Sequence, residues 1–119
     1  MPDAPSRLMI QRNGEITIIQ FLDRNILDEA NIQQIGEEIA SIIDAAGDPK
    51  LVLSFDNVDH LSSAALGTLI TINNKIRAKQ GQLRLANINQ QIYEVFTITK
   101  LDKLFNIDKS TGEAVEKLS

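Results

Sequence analysis

The sequence has 119 residues, 43% of them hydrophobic and 24% charged, which suits one domain with an aliphatic core, since aromatics make up only 4% and Trp is absent. It contains no Cys, which excludes disulfides, thiolate metal sites and cysteine nucleophiles. With a net charge of -4 and no cluster of Lys and Arg, it is not expected to bind nucleic acid.

Residues 1–7 hold two of the three prolines and read as a disordered tail ahead of one domain over 8–119. They lack the apolar run of a secretory signal. No later stretch approaches the roughly 18 apolar residues that span a bilayer. A cytoplasmic protein without a membrane span is expected.

Leu8 to Arg12 reads as a first strand, Asn13-Gly14 as a hairpin turn, and the β-branched run Ile16 to Phe21 as a second strand. From Asp28 the period changes. Ile32, Ile35, Ile39, Ile42, Ile43 and Ala46 follow helical spacing, with Asp28 at the N-cap position and Gly47 and Pro49 as the stop. The short apolar run Leu51–Phe55 reads as a central strand. A second helix is expected from about Ser62 to Lys79, closed by Gly81. Its basic end, with Lys75, Arg77 and Lys79, reads as a solvated terminus where cations favour the dipole.

Leu83 to Ala86 gives another strand, and Asn89 caps a third helix with Ile92, Val95 and Phe96 on its apolar face. Leu104 to Ile107 reads as a short edge strand. Ser110 to Leu118 reads as a last helix, with Ser110 and Glu113 at capping-box spacing. The order β-β-α-β-α-β-α-β-α predicts an α/β fold around a mixed sheet with parallel central strands.

The chain offers little for catalysis. Its only His, His60, stands two and three residues before Ser62 and Ser63, too near in an extended loop to face their hydroxyls, so no Ser-His-Asp triad is expected. Asp56 and Asp59 share a loop without the alternating ligands of a calcium site, and Asp59 reads as a solvated carboxylate. Neither glycine-rich nucleotide fingerprint is present. A non-enzyme without metal or cofactor is expected.

The second helix is more informative. At about 100° per residue, Ala65, Leu66, Leu69, Ile72 and Ile76 share one face. The opposite stripe is Ser63, Gly67, Thr71, Asn74 and Ala78, all small or short, where an ordinary exposed face carries Glu, Lys, Gln or Arg. Gly67 inside a helix costs about 1 kcal/mol relative to Ala. Two compensations are open: a neighbouring loop of the same chain over Gly67, or a partner protein docked on the stripe. One of Ser62 and Ser63 is expected to cap the helix. A phosphoryl group at such a position adds about -1.5 to -2 charges, which free N–H groups and the helix dipole tolerate.

Leu51-Val52-Leu53-Ser54-Phe55-Asp56-Asn57-Val58-Asp59-His60-Leu61-Ser62-Ser63-Ala64-Ala65-Leu66-Gly67, together with Thr99-Lys100-Leu101-Asp102-Lys103-Leu104-Phe105, resembles the STAS family of bacterial anti-sigma-factor antagonists. The resemblance runs from about Leu8 to Leu118. It departs from the family pattern where Asn25, Ala65 and Lys100 replace glycines and Ser54 replaces an Asp. It implies the STAS fold, a mixed four- to five-stranded sheet with helices packed mainly on one side.

The resemblance further implies partner switching. The unphosphorylated domain binds an anti-sigma factor that is also a serine protein kinase, phosphorylation releases it, and a serine phosphatase resets it. It places the phosphorylated serine at Ser63, with Ser62 as second choice. It sets Asp28 beside that serine, with Asp28, Ser62, Ser63, Ala64, Gly67, Thr71 and Asn74 as the partner surface. The alternative is a STAS interaction module without phosphorylation, in a lipid transporter complex or a signalling scaffold.

Overall fold

The computed structural model describes residues 8–118; the tail expected over residues 1–7 lies outside them. Strands β1 (Leu8–Asn13) and β2 (Ile16–Phe21) pair antiparallel, Leu8 opposite Phe21 and Asn13 opposite Ile16. Gly14 closes their turn at φ +64°, a left-handed conformation that favours glycine. β2 then pairs parallel with β4 (Lys50–Ser54), β4 with β6 (Gln82–Ala86), and β6 with β7 (Asn106–Asp108). The sheet order is β1-β2-β4-β6-β7. Each parallel step needs a crossover. Helices α1 (Glu29–Ala45), α2 (Ser63–Ala78) and α3 (Gln90–Ile98) supply them in turn.

Alternation along the strands divides the core. Ile19, Phe21, Leu51, Leu53, Leu83 and Leu85 face one way and bury Ile32, Ile35, Ile39 and Ile43 of α1, Leu66, Leu69, Ile72 and Ile76 of α2, and Ile92 and Phe96 of α3. Phe21 packs on Phe55 with ring centroids 4.8 Å apart, and Phe96 on Phe105 at 5.8 Å. Ile16, Val52 and Ala86 face the other way, where α4 (Thr111–Leu118) seals a smaller core with Ala114 and Leu118. Three of the four helices therefore share one face of a mixed five-stranded sheet, as the STAS resemblance implies.

Several elements differ from the sequence reading. A second sheet joins two strands of two residues each, β3 (Asn25–Ile26) and β5 (His60–Leu61). The edge strand expected over Leu104 to Ile107 forms one to two residues later, because Leu101–Lys103 first wind into a 3-10 turn. Val95 is 40% exposed, so the buried face of α3 narrows to Ile92 and Phe96. Ser110 caps α4 through Oγ, which accepts from Glu113 N at 3.2 Å. The basic end of α2 is not simply solvated. Lys79 Nζ donates to the carbonyls of Ile43, Asp44 and Ala46 at 2.9, 2.9 and 2.8 Å, and Lys75 pairs with Asp44 at 2.8 Å. Both lysines serve the end of α1.

Candidate partner-binding site

Strand β4 ends at Ser54, and the chain then turns through residues 55–62 to the start of α2. Main-chain bonds hold that loop on both sides. Phe55 N donates to Ala86 O at 2.9 Å, and Val58 N to Phe55 O at 2.9 Å. The N–H groups of Asp59 and His60 both reach Arg24 O, at 2.7 and 3.2 Å. Asn25 then pairs with His60 and Ile26 with Leu61 in parallel register, and Ser62 N donates to Ile26 O at 3.1 Å. The small sheet thus brings two helix starts side by side, because Leu27-Asp28 leaves β3 as Ser62-Ser63 leaves β5.

The two serines take different roles. Ser62 is the N-cap of α2, its Oγ accepting from Ala65 N at 3.2 Å. Ser63 is the first helical residue, and it is exposed. Asp28 caps α1 in the same way, Oδ1 accepting from Ala30 N at 2.8 Å and Asn31 N at 3.3 Å. Its carboxylate is therefore committed first to its own helix.

Ser63, Ala64, Gly67, Thr71, Asn74 and Ala78 are all exposed, while Ala65, Leu66, Leu69, Ile72 and Ile76 are buried. A Cβ added at Gly67 would meet nothing within 4 Å, so no loop of the described chain covers that glycine. Of the two compensations open from the sequence, the intramolecular one is absent among the described residues. Close backbone approach belongs instead to Gly36 on α1, where an added Cβ would lie 3.0 Å from Thr68 Cγ2 on α2. That glycine lets the two helices sit tightly together, and the sequence reading passed over it.

The serine-bearing start has a hollow on each side. Toward α1 a shallow groove runs between Glu29, Ala30 and Gln33 on one wall and Ala64 and Thr68 on the other. Toward α3 a cleft is lined by His60, Leu61, Leu66, Gln91, Ile92 and Val95. His60 itself is exposed. Asp59 is a solvated carboxylate as expected, its side chain 46% exposed, and it accepts from Arg24 Nε at 3.0 Å in a surface ion pair. Among the described residues, no three His, Cys, Asp or Glu side chains gather to hold a metal, and no helix is long and apolar enough to cross a membrane.

Two residues of this region went unassigned to it in the sequence reading. Arg24 supplies both the carbonyl that anchors the loop and the guanidinium on Asp59. Asn89, expected only to cap α3, also reaches the loop, its Nδ2 donating to Val58 O at 3.1 Å and, more weakly, to Asp59 O at 3.4 Å. Neither tie has a local sequence signature, because each joins residues about thirty positions apart.

The STAS domain family matches residues 7–114. BtrV of Bordetella bronchiseptica, described as a candidate anti-sigma factor antagonist, is 29% identical over 91 residues, 76% of this chain and 78% of the relative. In fold, the chain is similar to an anti-sigma-factor antagonist (STAS) domain protein from Planctomyces limnophilus, with a TM-score of 0.85 at 18% identity over 93% of this chain and 97% of the other. It is also similar to the Bacillus cell fate determinant SpoIIAA in its phosphorylated form, with a TM-score of 0.71 at 16% identity over 94% and 99%. The family match takes in all of the main sheet, and solved relatives repeat the same fold: this chain belongs to the STAS domain family.

Proposed function

We propose that the chain is an anti-sigma-factor antagonist that docks an anti-sigma factor with serine kinase activity on the α2 start, and that phosphorylation of Ser63 ends the contact. The observation that carries this reading is the division of labour between the serines: Ser62 spends its hydroxyl on the helix cap, and Ser63 stands exposed beside it. A kinase can reach Ser63 without opening the helix. At Ser62 the cap would have to be given up first.

The consequence follows from charge. A phosphoryl group at the first position of α2 sits in the favourable field of the helix N-terminus, so the fold tolerates it. A partner lying flat on Ser63, Ala64, Gly67, Thr71 and Asn74 would instead have to bury about two negative charges without a matched cation, and binding weakens strongly. Asp28, starting the neighbouring helix, adds to that negative potential. The resident chain performs no catalysis in this cycle; the partner kinase and a serine phosphatase supply both chemical steps. The names of BtrV and of the phosphorylated Bacillus protein support the role and the modification as properties of those proteins.

The test is calorimetric titration of wild type, Ser63→Ala and Ser63→Asp against anti-sigma factors encoded near this gene. Binding by wild type and the alanine variant, with at least tenfold loss in the aspartate variant, is expected. Equal binding by all three moves the switch away from Ser63. No binding by any of them favours a STAS module of a transporter complex or scaffold.

A further inference from the structure

Asn89 occupies a position that the partner-switching reading does not use. It follows β6 and caps α3, its Oδ1 accepting from Ile92 N at 2.8 Å. The other end of the same amide donates to Val58 O at 3.1 Å and toward Asp59 O at 3.4 Å. Those two carbonyls lie in the loop that hands the chain to Ser62 and Ser63. The opposite edge of the loop is fixed by Arg24 O, which takes the N–H groups of Asp59 and His60. The loop is therefore held between two anchors, main chain of residues 24–26 on one side and one side-chain amide on the other. Asn89 is half-buried, and the cleft between His60, Leu61 and Leu66 and the first turns of α3 opens beside it.

We infer that Asn89 is a positioning residue for the serine switch: its amide locks the loop of residues 58–62 to the start of α3 and so fixes where Ser63 is presented. An amide is the side chain that can do this, because it carries an acceptor for the helix and a donor for the loop on one rigid group. Ser or Asp would cap α3 equally well through oxygen. Neither has an N–H to give to Val58 and Asp59. A cap-only role accounts for one end of the amide and leaves the donor end without purpose. The two-ended role also couples the switch to α3: displacement of α3 pulls on the loop, and displacement of the loop pulls on the helix start.

This inference rests on the proposed function for its consequence but not for its geometry, and the experiment separates the two. Asn89→Ser keeps the cap and replaces the amide donor with a shorter hydroxyl; Asn89→Asp keeps the cap, removes the donor and sets a carboxylate against two carbonyls; Asn89→Ala removes both ends. Native-state hydrogen exchange is read on the full chain at the amides of Asp59, His60 and Ser62, alongside Tyr93 within α3 and the thermal midpoint. Expected is at least tenfold faster exchange at the loop amides in the Ser and Asp variants, with Tyr93 protection and midpoint close to wild type. The Ala variant is expected to lose protection in both places. The second readout is affinity for the anti-sigma factor that binds wild type, expected to fall at least fivefold for Ser and further for Asp.

Loop exchange equal to wild type in Asn89→Asp overturns the clamp. Faster exchange with unchanged affinity overturns its role in presenting Ser63. Failure of wild type to bind any anti-sigma factor removes the function proposed above, while the exchange data still decide the clamp.

Discussion

Adjacent serines at a helix start differ by one position in the turn and by most of their energetic role. Ser62 accepts from Ala65 N, a cap whose loss costs about 1 kcal/mol. Ser63 is exposed and already helical, where Ala is the better helix former. Ser62→Ala is therefore expected to lower unfolding free energy by about 1 kcal/mol in urea titration, and Ser63→Ala to leave it unchanged or slightly higher. The reverse order would mean that Ser63 is the true cap. A second residue carries the opposite kind of strain. Lys100 sits at φ +62°, left-handed backbone that a side chain disfavours. Lys100→Gly is expected to stabilise by about 1 kcal/mol, seen as a higher urea midpoint with unchanged slope. The sequence marked this place, since the family pattern puts glycine there, but the sign of φ came only with the structure.

Helix ends show where the sequence was legible and where it was not. Asp28, Ser62, Asn89 and Ser110 are local N-cap signals, and each caps the helix it precedes. C-terminal ends are harder, because their partners come from elsewhere. The last turn of α1 has no basic residue of its own. The carbonyls of that end are met by Lys79 from the far end of α2, which donates to Asp44, Ala46 and Ile43, the last of which also accepts from Ala46 N. Read along the chain, that lysine is one of three cations at a helix terminus; in space it is the C-cap of another helix. Lys79→Met keeps the aliphatic stem and removes the donors. It is expected to cost about 1.5 kcal/mol, with faster hydrogen exchange confined to the last turn of α1. Strands β3 and β5 were equally hidden. Two residues each cannot show a period of two, and they exist only because their partner lies 35 positions away.

At the scale of the whole molecule, local pattern placed the main strands and helices, because β2 and β4 are short β-branched or apolar runs and apolar residues recur at helical spacing in α1 and α2. What it missed is polar and long-range, and the buried carboxylate between the sheet and α4 is the largest case. Asp108 ends β7 on the α4 face with its side chain at 0% exposure. Arg84 Nε and Nη2 donate to its two oxygens at 2.5 and 3.2 Å, and Lys117 Nζ to Oδ1 at 2.8 Å. One carboxylate thus ties β6, β7 and α4 together. Asn87 adds a parallel link, its Nδ2 donating to Ser54 Oγ on β4 and Thr111 Oγ1 on α4, both at 2.9 Å. Burial alone would raise the Asp108 pKa; the hydrogen bonds from Arg84 and Lys117 and their charges outweigh it, and the carboxyl titrates below its ordinary 3.8. A carboxylate with a depressed folded pKa binds its proton more readily when unfolded. Its contribution is therefore whole above the ordinary value and is lost as pH falls below about 4 toward the folded pKa. Urea unfolding from pH 7 down to pH 2.5 should show wild type losing stability mainly below pH 4. Asp108→Asn should be weaker by about 2 kcal/mol at pH 7, with a flatter acid limb, so that the two curves converge at the acid end. Parallel curves would mean that Arg84 and Lys117 are as well satisfied without the charge as with it, and that α4 is held to the sheet by the apolar contacts of Ala114 and Leu118 and the Asn87–Thr111 link.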